Sequence, residues 1–323
     1  MVHSVRALLG LALASLVLAP VAAGSDDEAP EGGSAASASA GGVGYVGEAT
    51  CVTCHENVHP NFGETVHARV LGPQGTRPGE WPWTCESCHG PGAEHVAAGG
   101  GEAGHLVTFD RGNLEEVDRA NAVCLGCHRM GKQLHWEGSK HDSRGLACTT
   151  CHNPVDKISR RGQLAHESSV ETCTTCHLEQ KSKIYRNNHM PLRPTRSAFG
   201  DQESWMDCSS CHNPHGSPSP HMLVRASTPE TCYTCHAEKR GPFLWEHAPV
   251  NEDCSNCHDP HGSAREAMLK LSQPRLCQTC HLATLHPGEA RRPGNRFVLG
   301  QSCLNCHSQI HGSNHPSGFV FTR

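Results

Sequence analysis

The sequence predicts short α-helices and irregular loops with almost no β-sheet, packed around an interior that side chains alone do not supply. Three observations lead there. Only 36% of the 323 residues are apolar, cysteines included, and 5% are aromatic, too few to build a side-chain core for a chain of this length. Glycine and proline are plentiful, at 33 and 21 residues, and both interrupt regular elements. The 20 cysteines all fall into C-x-x-C-H motifs, with none left over.

The N-terminus, "MVHSVRALLGLALASLVLAPVAAGS", has a basic start at Arg6, an apolar run from Ala7 to Ala19, and small residues before Gly24. That is the pattern of a secretory signal peptide over residues 1–23, and the run is shorter than the roughly 20 residues of a spanning helix. Residues 24–47 are Gly/Ala/Ser-rich and acidic, the composition of a flexible linker. The rest, 48–323, is expected to be one motif-bearing domain. A formal net charge of -5 offers no basic surface for nucleic acid, and none is expected as a partner.

The motifs CVTCH, CESCH, CLGCH, CTTCH, CTTCH, CSSCH, CYTCH, CSNCH, CQTCH and CLNCH begin at residues 51, 85, 124, 148, 173, 208, 232, 254, 277 and 303. A disulfide framework does not require a histidine after every pair. Zinc sites combine two pairs, or a pair with histidines three to five apart. Covalent haem c requires this arrangement: two thiols reach one macrocycle as thioethers and the next residue projects over its face as an iron ligand. The fold class is therefore a multihaem cytochrome c, with ten haems stacked as the shared interior. The attachment residues are Cys51 and Cys54, Cys85 and Cys88, Cys124 and Cys127, Cys148 and Cys151, Cys173 and Cys176, Cys208 and Cys211, Cys232 and Cys235, Cys254 and Cys257, Cys277 and Cys280, and Cys303 and Cys306. The proximal ligands are His55, His89, His128, His152, His177, His212, His236, His258, His281 and His307.

Taking motifs in consecutive pairs gives five two-haem modules, at about 48–123, 124–172, 173–231, 232–276 and 277–323. Each carries one histidine between its motifs: His67, His141, His189, His247 and His286. A second histidine trails the second motif: His95, His215, His261 and His311. These are the candidate distal ligands. A trailing histidine three residues from its own motif has only about 10 Å of extended chain, too little to round the ring edge, so it is expected to reach a neighbouring haem. In the second module the trailing slot holds Val155. His166 is the nearest replacement, with His135, His315 or a methionine in reserve; if nothing coordinates, that iron is open. His59, His105 and His221 are spare histidines without an assigned role.

Residues 231–263 ("TCYTCHAEKRGPFLWEHAPVNEDCSNCHDPHGS") and 302–318 ("SCLNCHSQIHGSNHPSG"), with "CESCHGPGAEH" (85–95) and "HWEGSKH" (135–141), closely resemble the MtrA/DmsE family of periplasmic decahaem cytochromes. The resemblance runs from about Gly44 to the end. It implies bis-histidine electron carriers, several of which sit inside an outer-membrane β-barrel and pass electrons between the periplasm and an extracellular cytochrome or mineral. It also implies the distal set above apart from His166, and the family usually has a histidine where this chain has Val155. The expected function is an electron-transfer wire rather than an enzyme, in the periplasm within an outer-membrane barrel. Its expected partners are a barrel porin, an extracellular multihaem cytochrome and a periplasmic or inner-membrane electron donor. The alternatives are a free periplasmic shuttle and a multihaem reductase using one open haem; all ten motifs end in histidine, which disfavours the reductase.

Overall fold

The computed structural model describes residues 44–56, 58, 60–71, 85–101, 106–109, 113–184, 187–189, 206–281 and 302–322. The expected signal peptide, nearly all of the linker, His59, His105 and His286 lie outside them. Among the described residues no strand forms. The helices are single turns or little more, apart from Leu114–Leu125. Short antiparallel bridges join His152 to Leu164, His212 to Leu223 and His258 to Leu269, each closing the loop that follows a motif.

Buried apolar side chains among the described residues are few and scattered: Val117, Ala120, Trp136, Ala147, Ile184 and Leu223. Polar side chains do much of the positioning instead. The helix Leu114–Leu125 starts with a capping box: Asn113 Oδ1 accepts from the Glu116 N–H and Glu116 Oε2 accepts from the Asn113 N–H, both at 3.1 Å, satisfying two end donors reciprocally. Its buried Asn121 donates to the Leu146 carbonyl at 3.1 Å and accepts from the Cys148 N–H at 2.8 Å. The helix that carries Cys124 is thereby docked on the turn that carries Cys148.

Glu86, inside the second motif, is only 3% exposed. Its carboxylate accepts from the backbone N–H groups of Val46 at 3.0 Å, Gly47 at 2.8 Å and Gly92 at 2.8 Å, which supplies the compensation that a buried charge needs. Modules meet through glycines that follow the trailing histidines. A Cβ on Gly216 (φ 105°) would sit 2.0 Å from the His135 carbonyl oxygen, and one on Gly262 (φ 133°) 2.2 Å from that of Lys183. Neither the backbone conformation nor the space admits a side chain. In the second module Asp156 occupies the position of these glycines.

Replacing Glu86 with alanine strands three backbone donors in a poorly solvated corner. The holoprotein is expected to lose about 2–4 kcal/mol in denaturant unfolding, with protease cleavage near residue 46 accelerated.

Candidate haem-iron sites

The motifs fold in a way that explains their spacing. Cys148–Cys151 and Cys208–Cys211 each form one helical turn, so their two sulfurs, three residues apart, share a face. The following histidine then leaves the turn in extended backbone, at φ -115° and ψ 141° for His152. Its ring is oriented by a carbonyl further along: Nδ1 of His152 donates to Gly162 at 2.7 Å, His212 to His221 at 2.8 Å, His258 to Ala267 at 2.6 Å and His89 to Val107 at 2.8 Å. A nitrogen facing a carbonyl must carry the proton, which leaves Nε2 as the lone-pair donor.

Opposite most motif histidines stands a second imidazole. Ring centres are 6.2 Å apart for His55 and His95, 6.0 Å for His67 and His128, 6.2 Å for His141 and His177, and 5.8 Å for His152 and His215. The series continues at 6.0 Å for His189 and His236, 6.1 Å for His212 and His261, and 6.2 Å for both His247 with His281 and His258 with His311. A metal–imidazole bond is about 2.0–2.1 Å, and the ring centre lies about 1.1 Å beyond the nitrogen, so two imidazoles on one iron have centres about 6.2 Å apart. The near-constant separation, whatever the angle between the rings, fits a shared iron. Among the described residues, groups of three or more metal-ligating side chains of the kind a zinc site uses do not occur, and no disulfide joins the cysteines.

The twist between facing rings falls into two classes. It is 22° for His55 with His95, 11° for His152 with His215, 10° for His212 with His261, 21° for His247 with His281 and 18° for His258 with His311. It is 82°, 67° and 59° for the pairs of His67, His141 and His189. Backbone anchors hold two of these last rings: His141 Nδ1 donates to the Pro214 carbonyl at 2.7 Å and His189 Nδ1 to that of Pro260 at 3.2 Å. His67 lies against the Pro154 carbonyl and His247 against that of Ile310, but their Nδ1 atoms fall outside hydrogen-bond geometry.

Eight distal candidates among the described residues, His67, His95, His141, His189, His215, His247, His261 and His311, thus face a motif histidine of another motif. His166 does not. It is exposed and stands two residues after Leu164, the register position of Arg225 after Leu223, on the outward side of the loop. The structure does not bring His166, the nearest candidate for the slot of Val155, opposite a motif histidine. His135 is exposed as well, and His315 Nδ1 accepts from the Ser317 N–H at 3.1 Å, so neither faces a motif histidine. His307 donates through Nδ1 to the Val320 carbonyl, and His286, the interposed candidate of the fifth module, is outside the described residues. His89 meets Phe109 edge-on at 5.3 Å, a neighbour that sequence reasoning did not single out. The proline anchors were also missed, although "NPH" and "DPH" recur before the trailing histidines.

Burial shapes the acid–base state of the distal set. It pushes His215 down to about 4, with the neighbouring His152 adding to the effect, and it lowers His67, His247, His261 and His311 in the same direction. A ligating imidazole must be unprotonated, and burial favours that form.

Over 289 residues the chain is 42% identical to the multiheme cytochrome MtrA of Shewanella baltica, covering 86% of this chain and 81% of that one. The chain belongs to the MtrA family of multihaem cytochromes. The doubled CXXCH motif family matches residues 203–241 and 247–285. The C-type polyheme cytochrome OmcB of Geobacter sulfurreducens is 28% identical over 239 residues, although this chain spans only 29% of it, and OmcC of the same species is 24% identical over 231 residues. As a member of the MtrA family, the chain is a c-type cytochrome with covalently attached haem that functions in electron transfer.

Two measurements check the geometry. The frozen ferric holoprotein is expected to show two classes of low-spin EPR signal, the nearly parallel pairs giving ordinary rhombic spectra and the strongly twisted pairs highly anisotropic ones. A His215→Ala variant is expected to convert one haem to high spin without haem loss. An ordinary histidine titrates near 6.5 and His215 near 4, so an unfolded chain takes up this proton in a window where the folded one does not. Stability supported by neutral His215 is complete above about pH 6.5 and falls as pH drops toward about 4. The thermal midpoint is expected to decline across that window.

Proposed function

We propose that the facing histidines are the axial ligands of a multihaem wire, and that the protein is the periplasmic subunit of an outer-membrane porin–cytochrome conduit. The observation that carries this reading is the repeated separation of about 6 Å between a motif histidine and a second imidazole. When bound, the irons supply reversible Fe(III)/Fe(II) cycling and nothing else is asked of them. Where two histidines face one another, the chain's residues would hold both faces of the iron, exclude exogenous ligands there, and keep the coordination unchanged between oxidation states. Low reorganisation of this kind favours transfer over bond chemistry, which is why a carrier is preferred to a reductase.

The polypeptide also sets the spacing. Thiols of the first cysteines of paired motifs touch: Cys51 with Cys85, Cys124 with Cys148, Cys173 with Cys208, Cys232 with Cys254 and Cys277 with Cys303. In the haem-loaded protein these sulfurs are thioethers, so the contacts bring the attachment points of two macrocycles together. Tunnelling rates fall steeply with distance, and such contacts favour rapid passage within a module.

No helix among the described residues is long and apolar enough to cross a membrane. For a conduit built on this chain, a barrel partner is what the resemblance to the MtrA/DmsE family implies. The test is co-purification from outer membranes followed by reconstitution in liposomes that enclose a redox dye. The expected result is reduction of the dye by an external donor only when barrel and cytochrome are both present. Isolation of the cytochrome without a barrel, and no transmembrane reduction, would favour a free periplasmic shuttle.

A further inference from the structure

Three module junctions are built alike. His141 leans on the Pro214 carbonyl, and the next residue, His215, faces His152. His189 leans on Pro260, and His261 faces His212. His247 lies against Ile310, and His311 faces His258. In each case the trailing histidine serves the second motif of the preceding module. One module toward the N-terminus, His67 lies against Pro154, the next residue is Val155, and the second motif of the preceding module ends in His89.

The backbone at residue 155 is held as in its sisters. The Val155 N–H donates to Asn153 Oδ1 at 3.2 Å, as His215 does to Asn213 at 3.3 Å and His261 to Asp259 at 3.1 Å. Valine brings a branched hydrocarbon to that place and no lone pair. His89 keeps the ordinary proximal arrangement, with Nδ1 on the Val107 carbonyl. Its neighbour Phe109, edge-on at 5.3 Å, is closer than rings sharing an iron can be (about 6.2 Å), so it props the ring from the side. Among the described residues no second imidazole faces His89.

We propose that the haem attached at Cys85 and Cys88 is ligated by His89 alone and binds a neutral diatomic ligand on the face beneath Val155. The inference rests on the axial-ligand reading of the histidine pairs. Ligand class follows from the lining: valine offers no proton donor to a bound anion, and the residue after it, Asp156, is acidic. A small uncharged π-acceptor on ferrous iron needs neither a donor nor a counter-charge.

Carbon monoxide is the probe, titrated into the reduced full-length holoprotein, with EPR of the ferric form alongside. The expected result is one high-spin ferric haem and binding of one CO per chain. Both are expected to disappear in a Val155→His, Asp156→Gly double variant, which restores the His-Gly pair of the sister junctions, and to remain in Val155→Ala. Ten low-spin haems and no CO uptake would overturn the proposal while leaving the wire intact, because a histidine from outside the described residues would then close the site. CO uptake unchanged in the double variant would place the open iron elsewhere and overturn it too. Uptake at most haems would sink the axial-ligand reading and this proposal together.

Discussion

Two imidazoles that share an iron have a fixed separation, and among the described residues all facing pairs at that separation but His55 with His95 join different modules. His141 of the second module faces His177 of the third, and His215 of the third faces His152 of the second. The same exchange joins the third to the fourth through His189 with His236 and His261 with His212. The fourth and fifth are joined through His247 with His281 and His311 with His258. In the proposed wire each iron is therefore also a crosslink. That role accounts for a fold with scattered buried apolar residues and no strand among the described residues: the long-range order that a core or sheet would impose is supplied by coordination, and loops need only deliver histidines.

Local devices make this delivery reliable. A single helical turn aims two sulfurs at one ring, and a carbonyl nine to eighteen residues on sets the proximal tautomer. The glycines after His215 and His261 admit the backbone of the preceding module at a distance no Cβ would tolerate, and the one after His311 admits the Phe243 ring in the same way. Twist angles follow the same division of labour. Trailing histidines at the three later junctions make nearly parallel pairs, whereas interposed rings fixed on proline carbonyls, His141 and His189, stand well out of plane with their partners. A hydrogen bond to Nδ1 makes a ligand more basic, so the anchored rings and the unpartnered Nδ1 atoms of His67, His95, His215 and His247 give the haems different donor strengths with identical ligand types.

The cofactor and the fold class were legible because the C-x-x-C-H motif is local: five residues contain the whole chemical requirement. The interposed and trailing histidines were legible as a set because the modules repeat. Which iron each trailing histidine serves was not, since that depends on how one module docks on the next, and the His215–His152 pair is separated by dozens of residues without a sequence signal for the pairing. His166 shows the corresponding limit. Proximity to Val155 along the chain made it the nearest substitute, but the bridge between His152 and Leu164 fixes the loop register and turns residue 166 outward, as it does Arg225. Phe109 and the proline anchors were hidden for the same reason, because ordinary loop residues acquire a role only through their neighbours.

Val155 then bears on mechanics as well as ligation. The three later junctions carry two facing pairs each, but among the described residues the first and second modules are joined by one, His67 with His128, since Val155 stands where the second would arise and His95 faces His55 within its own module. The glycine contact is lost there too, with Asp156 in its place. What holds the first module is of a different kind: Glu86 gathers three backbone donors within it, and the helix Leu114–Leu125 runs from it directly into Cys124. The chain therefore keeps its first two haems in a unit that is internally braced but singly stapled to the rest. An iron lacking its second histidine sits at that junction because the histidine which would close it is the same residue that would have formed the missing staple.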